Sequence, residues 1–527
     1  MTFRVSLPSD AAGLITTTAD EWREHRLLER LWSKDATVWA DPPIPETADR
    51  LGWLDAPVSS GALIESIETL HSEAIAEGIT DIVLCGMGGS SLAPEVFAST
   101  LPTDAGSPGL TVIDSTHPGA VTTVAAATDP TKTWYIVASK SGGTIETISL
   151  FRYFWDQASS QLQHPGSHFV AITDPGTSLA SLARDRGFRT TVLADPDVGG
   201  RYSALTAFGI VPAGLIGVDA PRLLESARHA ALVCGRASYL EENPGFGIGV
   251  VLAESAQRGN TMVQLIGTPP VKSVGTWIEQ LIAESTGKGG TGIVPIDGGP
   301  RVSGPSRATI VGIGGEITQE ADIVISLDDP YDIAAVMFVL EFATAVAGRS
   351  MHINPFDQPD VQLSKVLAAD AMNEGLDAGG ARPSAVSDRR WTEALSEAID
   401  GTAPSYISIQ AYVPQTAESR ALLDEMRHRL AGVSGTYVTV GFGPRFLHST
   451  GQLHKGGPPG GVYLQIVDDT GDTLDVPETG YTFNELITAQ AAGDRGALAD
   501  RSRVVIAVDL GADSDAGLKA MVDQLTR

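Results

Sequence analysis

The sequence predicts an α/β protein: two αβα sandwich units with parallel sheets, followed by a smaller C-terminal α+β unit. Three observations carry that reading. Apolar strands at 81–85, 110–113, 134–138, 169–172 and 190–193 alternate with helix-like stretches at 118–127, 144–161, 177–186 and 202–217. This is the pattern of right-handed βαβ units with helices on both faces of a sheet. A second, less regular block follows, with helical runs at 221–237 and 247–258, a strand at 261–266, a helix near 275–285, strands at 308–311 and 323–326, and a long helix at 333–347. Strands at 406–413, 437–440, 462–467 and 504–509, with helices at 418–430 and 483–492, then suggest the α+β unit. The division expected is 1–48, a helical arm; 49–220 and 221–371, the two αβα units; 372–400, a linker opening on a Gly-, Ala-, Ser- and Pro-rich stretch; and 401–527, the third unit. In the arm, Trp22, Leu27, Leu28, Leu31 and Trp32 recur at helical spacing among charges.

Two turns in the first unit carry chemistry. WYIVASKSGGTIET at 134–147 reads as strand, tight loop and helix; its loop offers the hydroxyls of Ser139, Ser141 and Thr144 and the ammonium of Lys140. Glycines let backbone N–H groups converge there, and the helix adds its positive end, a combination suited to a phosphate dianion. The alternative is an ordinary βα turn whose hydroxyls cap a helix. A second turn, GMGGSSLAPEVF at 86–97, brings Gly88, Gly89, Ser90 and Ser91 to a helix start. Neither turn has the spacing of a nucleotide P-loop or a dinucleotide fingerprint. Two such turns at the carboxyl ends of strands in one sheet would face one ligand across a switch point.

Composition narrows the class. The chain has 527 residues, 43% hydrophobic and 19% charged, ordinary for a globular protein of several domains. A net charge of −28 argues against nucleic acid and makes any phosphate site depend on local cations and N–H groups. Only Cys85 and Cys234 are present, which suggests neither a disulfide framework nor a metal cluster and fits a reducing cytoplasm. The N-terminus shows no signal-peptide pattern and no apolar stretch of spanning length stands out, so neither export nor membrane insertion is expected. In the third unit the glycine-rich connection at 441–461 holds Arg445, His448, His454 and Lys455, a density of polar groups typical of a functional loop.

These motifs together resemble the phosphoglucose isomerase family. GMGGSSL, SKSGGTIET, GGRYSALTAFG at 199–209, AESTGKGGTGIVP at 283–295 and NPFDQPDVQLSK at 354–365 occur in the family's order over nearly the whole chain. GPRFLHSTGQLHKGGP in the third unit is similar to the isomerase half of the fused transaldolase–glucose-6-phosphate isomerases. The resemblance implies a pair of sugar-isomerase (SIS) domains and interconversion of glucose 6-phosphate and fructose 6-phosphate through a cis-enediol, without metal or organic cofactor. It puts substrate contacts on Gly88, Gly89, Ser90, Ser139, Lys140, Ser141, Thr144, Gln280 and Gln358. It makes Glu284 the base that moves a proton between neighbouring carbons, Arg201 the cation beside the enediolate, and Lys365 a helper in ring opening. On spacing alone Glu284 would pass for a surface glutamate, Arg201 for half of a salt bridge and Lys365 for a solvated helix lysine.

One departure stands out. The family's GTNGQH-like histidine motif is missing between Glu284 and Lys365, where only His352 occurs, directly before INPFDQ. STGQLH at 449–454 resembles that motif, which makes His454, with His448 behind it, the expected replacement, reaching the cleft from the third domain or from a partner subunit. The alternative for each histidine is a hydrogen bond that braces its loop. Two other functions stay open: a non-catalytic SIS-type phosphosugar sensor, or an isomerase of another sugar phosphate. A homodimer and a separate transaldolase partner also stay open.

Overall fold

A computed structural model describes residues 3–235, 237–302, 307–317, 319–374 and 382–525. The chain opens with a short strand, β1 (Phe3–Ser6), before the helices Ala12–Glu24 and Leu27–Trp32 of the expected arm. The first sheet consists of β2 (Asp81–Gly86), β3 (Gly109–Ile113), β4 (Thr133–Ala138), β5 (Phe169–Thr173) and β6 (Thr190–Leu193), all parallel in the order β3-β2-β4-β5-β6. Trp134, Ile136 and Ala138 of β4 enter one apolar cluster while Tyr135 and Val137 enter another, as period-two alternation requires of a strand covered on both faces. The chain leaves β2 for β3 on one side and returns to β4 on the other. That reversal puts the two serine-rich turns side by side at the switch point.

The second sheet holds β7 (Met262–Gly267), β8 (Val294–Asp297), β9 (Ala308–Gly314) and β10 (Ile323–Leu327), parallel in the order β10-β9-β7-β8, with β1 added antiparallel beside β10. The sequence pattern missed β8 because Pro295 interrupts it; on an edge strand a missing N–H costs no ladder bond. The span Pro330–Ser350 is long and apolar enough to cross a membrane, against the expectation that no such stretch exists. In its 18-residue apolar window 94% of the residues are buried among their neighbours, the environment of a core helix.

The third sheet corrects the α+β expectation. β11 (Ser384–Ala385), β12 (Tyr406–Tyr412), β13 (Tyr437–Phe442), β14 (Gly461–Val467) and β15 (Val504–Asp509) are parallel throughout, in the order β11-β15-β14-β12-β13. β13 and β14 flank β12 on opposite sides, so the glycine-rich connection between them is a crossover and not a hairpin. The unit is therefore wound like the other two. Part of the stretch read as a linker is also structured: Arg390–Thr402 forms a helix that buries Trp391, Leu395 and Ala398 in the core of this unit.

The third unit packs against both others. Tyr406, Tyr437, Leu453 and Tyr463 share an apolar cluster with Met262, Ala283 and Val294 of the second unit. Val476 and Phe483 join a cluster of the first. Polar ties cross the same seams: His117 Nε2 lies 3.1 Å from Asp468 Oδ1, Thr116 Oγ1 donates to Gln490 Oε1 at 2.7 Å, and the Arg427 guanidinium donates to the Asp297 carbonyl at 2.7 Å.

Candidate active site

A cleft of about 500 Å³ opens where the three units meet, lined by both serine-rich turns, by Arg201, Gln280, Glu284 and Gln358, and by Leu447 and His448 of the third unit. Its junction is glycine-dependent. At Gly88, φ is +55°, and a Cβ there would lie 2.5 Å from the His448 carbonyl oxygen and 2.8 Å from Gln280 Nε2. A Cβ on Gly89 would lie 2.0 Å from the Gly200 carbonyl oxygen. Only glycine allows the turn of the first unit to touch the other two so closely.

One end of the cleft suits phosphate. The helix Ile145–Gln161 starts at Thr144 without a side-chain cap, so its first N–H groups and positive end are presented beside the loop. Ser139 and Thr144 share a hydrogen bond of 2.9 Å, and the hydroxyl of Ser141 accepts the Gly143 N–H at 3.4 Å. Lys140 is ion-paired with Asp174 and also donates to the Pro196 carbonyl at 3.1 Å. Arg50, absent from the sequence expectations, joins Lys140 on the cleft wall. These cations offset locally the unfavourable sign of the whole chain.

The opposite wall comes from the second unit. The helix Val274–Thr286 places Gln280 and Glu284 one turn apart on one face. Glu284 is 6% exposed; its Oε2 lies 3.6 Å from Arg201 Nε and accepts from Gln280 Nε2 at 3.2 Å. Gln280 Nε2 also donates to the His448 carbonyl at 2.8 Å, which fixes the amide. Arg201, 3% exposed, donates through Nη2 to the carbonyls of Phe356 at 2.9 Å and Asp357 at 3.2 Å. Its Nη1 has no hydrogen-bond partner among the described residues. A buried carboxylate thus faces a buried, fixed guanidinium across one small space. Such a pair can take a proton from carbon and steady the oxyanion that forms.

Among the described residues, the histidine in the cleft is His448. The single turn Arg445–His448 is anchored by Arg445, which ion-pairs with Glu95 and lies 3.3 Å from Asp114, both in the first unit. His448 Nε2 is 2.9 Å from Glu146 Oε1, and that carboxylate oxygen also accepts from Gln490 Nε2 at 2.7 Å. Glu146 was missed by the sequence reading, since an acid in the first turn of a helix is ordinary there. Its signal was an acidic residue following the loop hydroxyls directly into an apolar helix.

His454, the expected replacement, is not in the cleft. It lies on the short helix Gly451–Gly456 against β12, with Nδ1 accepting from Gln410 Nε2 at 3.0 Å and Nε2 3.5 Å from Ser408 Oγ. Burial, reinforced by Lys455 and Arg503, pushes its pKa well below the usual histidine value, so it sits neutral in the core of the third unit. The group of STGQLH that reaches toward the site is Gln452. It accepts the Asp360 N–H at 2.9 Å and donates to Asp360 Oδ2 at 2.8 Å and to the Gly287 carbonyl at 2.9 Å, tying together two loops of the second unit. His352 lies at a different surface depression, beside Trp22 and Arg349. Lys365 falls on the helix Val361–Glu374, but its side chain lies outside the described residues.

Residues 62–289 match the family model for phosphoglucose isomerase. Over that stretch, less than half of its length, the chain is similar to the phosphoglucose isomerase family. It is 26% identical over 410 residues to a glucose-6-phosphate isomerase of Rubrobacter xylanophilus, covering 64% of this chain and 90% of that protein. It is 30% identical over 279 residues to one of Citrifermentans bemidjiense, half of each chain. In fold it is similar to a glucose-6-phosphate isomerase structure from Chlamydia trachomatis, with a TM-score of 0.59, 18% identity, and 71% of this chain and 89% of that one covered. A hypothetical protein of Thermus thermophilus also has a TM-score of 0.59, at 23% identity, with 70% of this chain and 100% of that one covered. The phosphoglucose isomerase match ends inside the second sheet, at Gly289, before the loop of Gln358 and the whole third unit.

Proposed function

We propose that this chain interconverts glucose 6-phosphate and fructose 6-phosphate through a cis-enediol, with Glu284 as the base. The observation that carries the proposal is the buried Glu284 carboxylate beside the fixed Arg201 guanidinium, in one cleft with an uncapped helix start and three loop hydroxyls. The phosphate sits on Ser139, Ser141, Thr144 and the N–H groups that follow, aided by Lys140, and its binding energy fixes the sugar chain across the cleft. Ring opening needs an acid at the ring oxygen and a base at the anomeric hydroxyl. His448, oriented by Glu146, takes one of these roles, and the resemblance assigns the other to Lys365. Glu284 then lifts the proton from C2 of the open aldose and returns it to C1, while Arg201 opposes the charge on the enediolate oxygen. Gln280 and Gln358 hold hydroxyls of the chain.

A phosphosugar sensor has no use for a buried carboxylate opposite a guanidinium, so Glu284 argues against that alternative. Catalysis in the cytoplasm is part of the proposal, supported by two buried thiols and no disulfide among the described residues. A homodimer and a separate transaldolase partner rest on resemblance alone, and light scattering and co-purification test them. For the activity itself, the purified protein is assayed in a coupled system on a panel of sugar 6-phosphates that includes mannose 6-phosphate and a sulfonated analogue. Turnover is expected with the glucose and fructose esters; turnover of another member alone moves the assignment to that sugar, and none at all overturns it.

A further inference from the structure

A second buried cation lies beside the catalytic pair and takes no part in the steps above. Lys288, 6% exposed and two residues past the helix of Glu284, donates from Nζ to the Asn354 carbonyl at 2.6 Å, to the Asp357 carbonyl at 2.5 Å and to Asp357 Oδ1 at 2.6 Å. Arg201 grips the same turn from the other side, through the carbonyls of Phe356 and Asp357. Two cations therefore hold one loop and meet at one residue. They use that residue differently, because Arg201 takes only its carbonyl whereas Lys288 takes its carboxylate as well. Asp357 is one-third exposed, so its side chain has room to turn.

We propose that Lys288 is a positioning residue that holds the Asp357 carboxylate away from Arg201, so that the guanidinium stays available to the developing oxyanion. The inference rests on the isomerase reading for its kinetic consequence, while its geometric content stands by itself. Without the ammonium, Asp357 keeps its carbonyl near Arg201 Nη2, and a side-chain rotation brings its carboxylate to a cation that has a nitrogen without a partner. An ion pair formed there competes with the enediolate for the same charge. Desolvation, then the neighbouring Arg201 charge, pulls the Lys288 pKa down to about 8, against the raising influence of Asp357 and Glu284. Lys288 is thus charged below about pH 8 and loses its proton, and its hold on Asp357, above it.

The test is a cycle of Lys288→Met, Asp357→Asn and the double variant, read by kcat and KM on fructose 6-phosphate, by pH profile, and by crystal structures of the variants. Lys288→Met is expected to lower kcat about tenfold or more with a smaller change in KM, as for weakened charge stabilisation. Adding Asp357→Asn should restore most of that loss, since no carboxylate remains to occupy Arg201. The wild-type kcat should fall as pH rises through about 8, and the double variant should lack that limb. The Lys288→Met crystal should show the Asp357 carboxylate on Arg201. A double variant as slow as Lys288→Met, or slower, overturns the proposal and makes Lys288 a structural brace. So does a crystal in which the carboxylate stays away from Arg201, a readout that holds even if the wild type isomerises nothing. Failure of wild-type turnover refutes the isomerase reading separately.

Discussion

Replacing His448 by alanine removes the one imidazole that lines the cleft among the described residues, 2.9 Å from Glu146. A positioned acid–base group contributes roughly 10²- to 10⁴-fold in rate, about 3–5 kcal/mol of barrier. The fold should tolerate the change. Glu146 keeps the Gln490 amide at 2.7 Å, so its buried carboxylate is not stripped of donors, and a loss of about 1 kcal/mol is expected from the vanished hydrogen bond. The chemistry makes the effect selective. Fructose 6-phosphate is mostly cyclic and must be opened, whereas 5-deoxyfructose 6-phosphate has no hydroxyl with which to close a ring. His448→Ala should therefore slow turnover of the first by at least about 100-fold and slow Glu284-driven proton exchange on the second by less than about tenfold. Stopped assays on the first and solvent-deuterium incorporation into the second measure the two rates. Equal losses on both substrates would make His448 a structural residue, and no loss on either would refute the argument.

Four further outcomes follow from the geometry. Gly89→Ala must push a Cβ against the Gly200 carbonyl, 2.0 Å away, and should lower stability by about 1–3 kcal/mol together with activity; an unchanged melting curve would contradict this. Ser139→Ala with Thr144→Ala should raise KM and also lower kcat, because phosphate binding energy aligns the reacting carbons, and unchanged kinetics would place the phosphate elsewhere. His454→Gln should cost about 1–2 kcal/mol in thermal or urea melts while leaving KM unchanged, since its partners Gln410 and Ser408 lie in the third unit; a selective kinetic defect would return it to the site. Burial, reinforced for Glu279 by Asp297, pushes the Glu279 carboxyl up to about 8, and burial pushes Asp297 up to about 6. Groups with raised folded values contribute stability that is complete below their unfolded values and is lost as pH rises through about 6 and then 8. The melting temperature should fall across that window, and Glu279→Gln should flatten the fall; a wild-type profile without it would contradict the buried pair.

The hydroxyl-rich end of the cleft was legible because it is local: strand, glycines, hydroxyls and helix start lie within a dozen residues, and the switch-point topology then sets two such turns together. The strands of the first sheet were readable for a similar reason, since each is an apolar run bounded by turn residues. What was hidden is what depends on contacts between distant segments. β8 was masked by Pro295, which is tolerable only because that strand is an edge, a fact of sheet order. The parallel pairing of the third sheet was masked because a rich loop between two strands reads equally as hairpin or crossover. His454 and His448 lie six residues apart in one loop, and local composition favoured the first. Packing reversed the choice, because the Arg445 anchor to Glu95 and Asp114 turns His448 into the cleft while the following helix buries His454. Glu146 could be recognised only with its partner, which comes from another unit.

The central claim, that a single buried carboxylate moves the proton in a cleft built for a sugar phosphate, is tested most directly with Glu284→Gln. The amide keeps the size of the side chain and leaves the phosphate loops untouched. Turnover of fructose 6-phosphate and binding of glucitol 6-phosphate, which cannot isomerise, are measured on the same preparation. The account predicts a loss of turnover of several orders of magnitude with glucitol 6-phosphate affinity preserved within about threefold. Turnover close to that of the unaltered protein would contradict it.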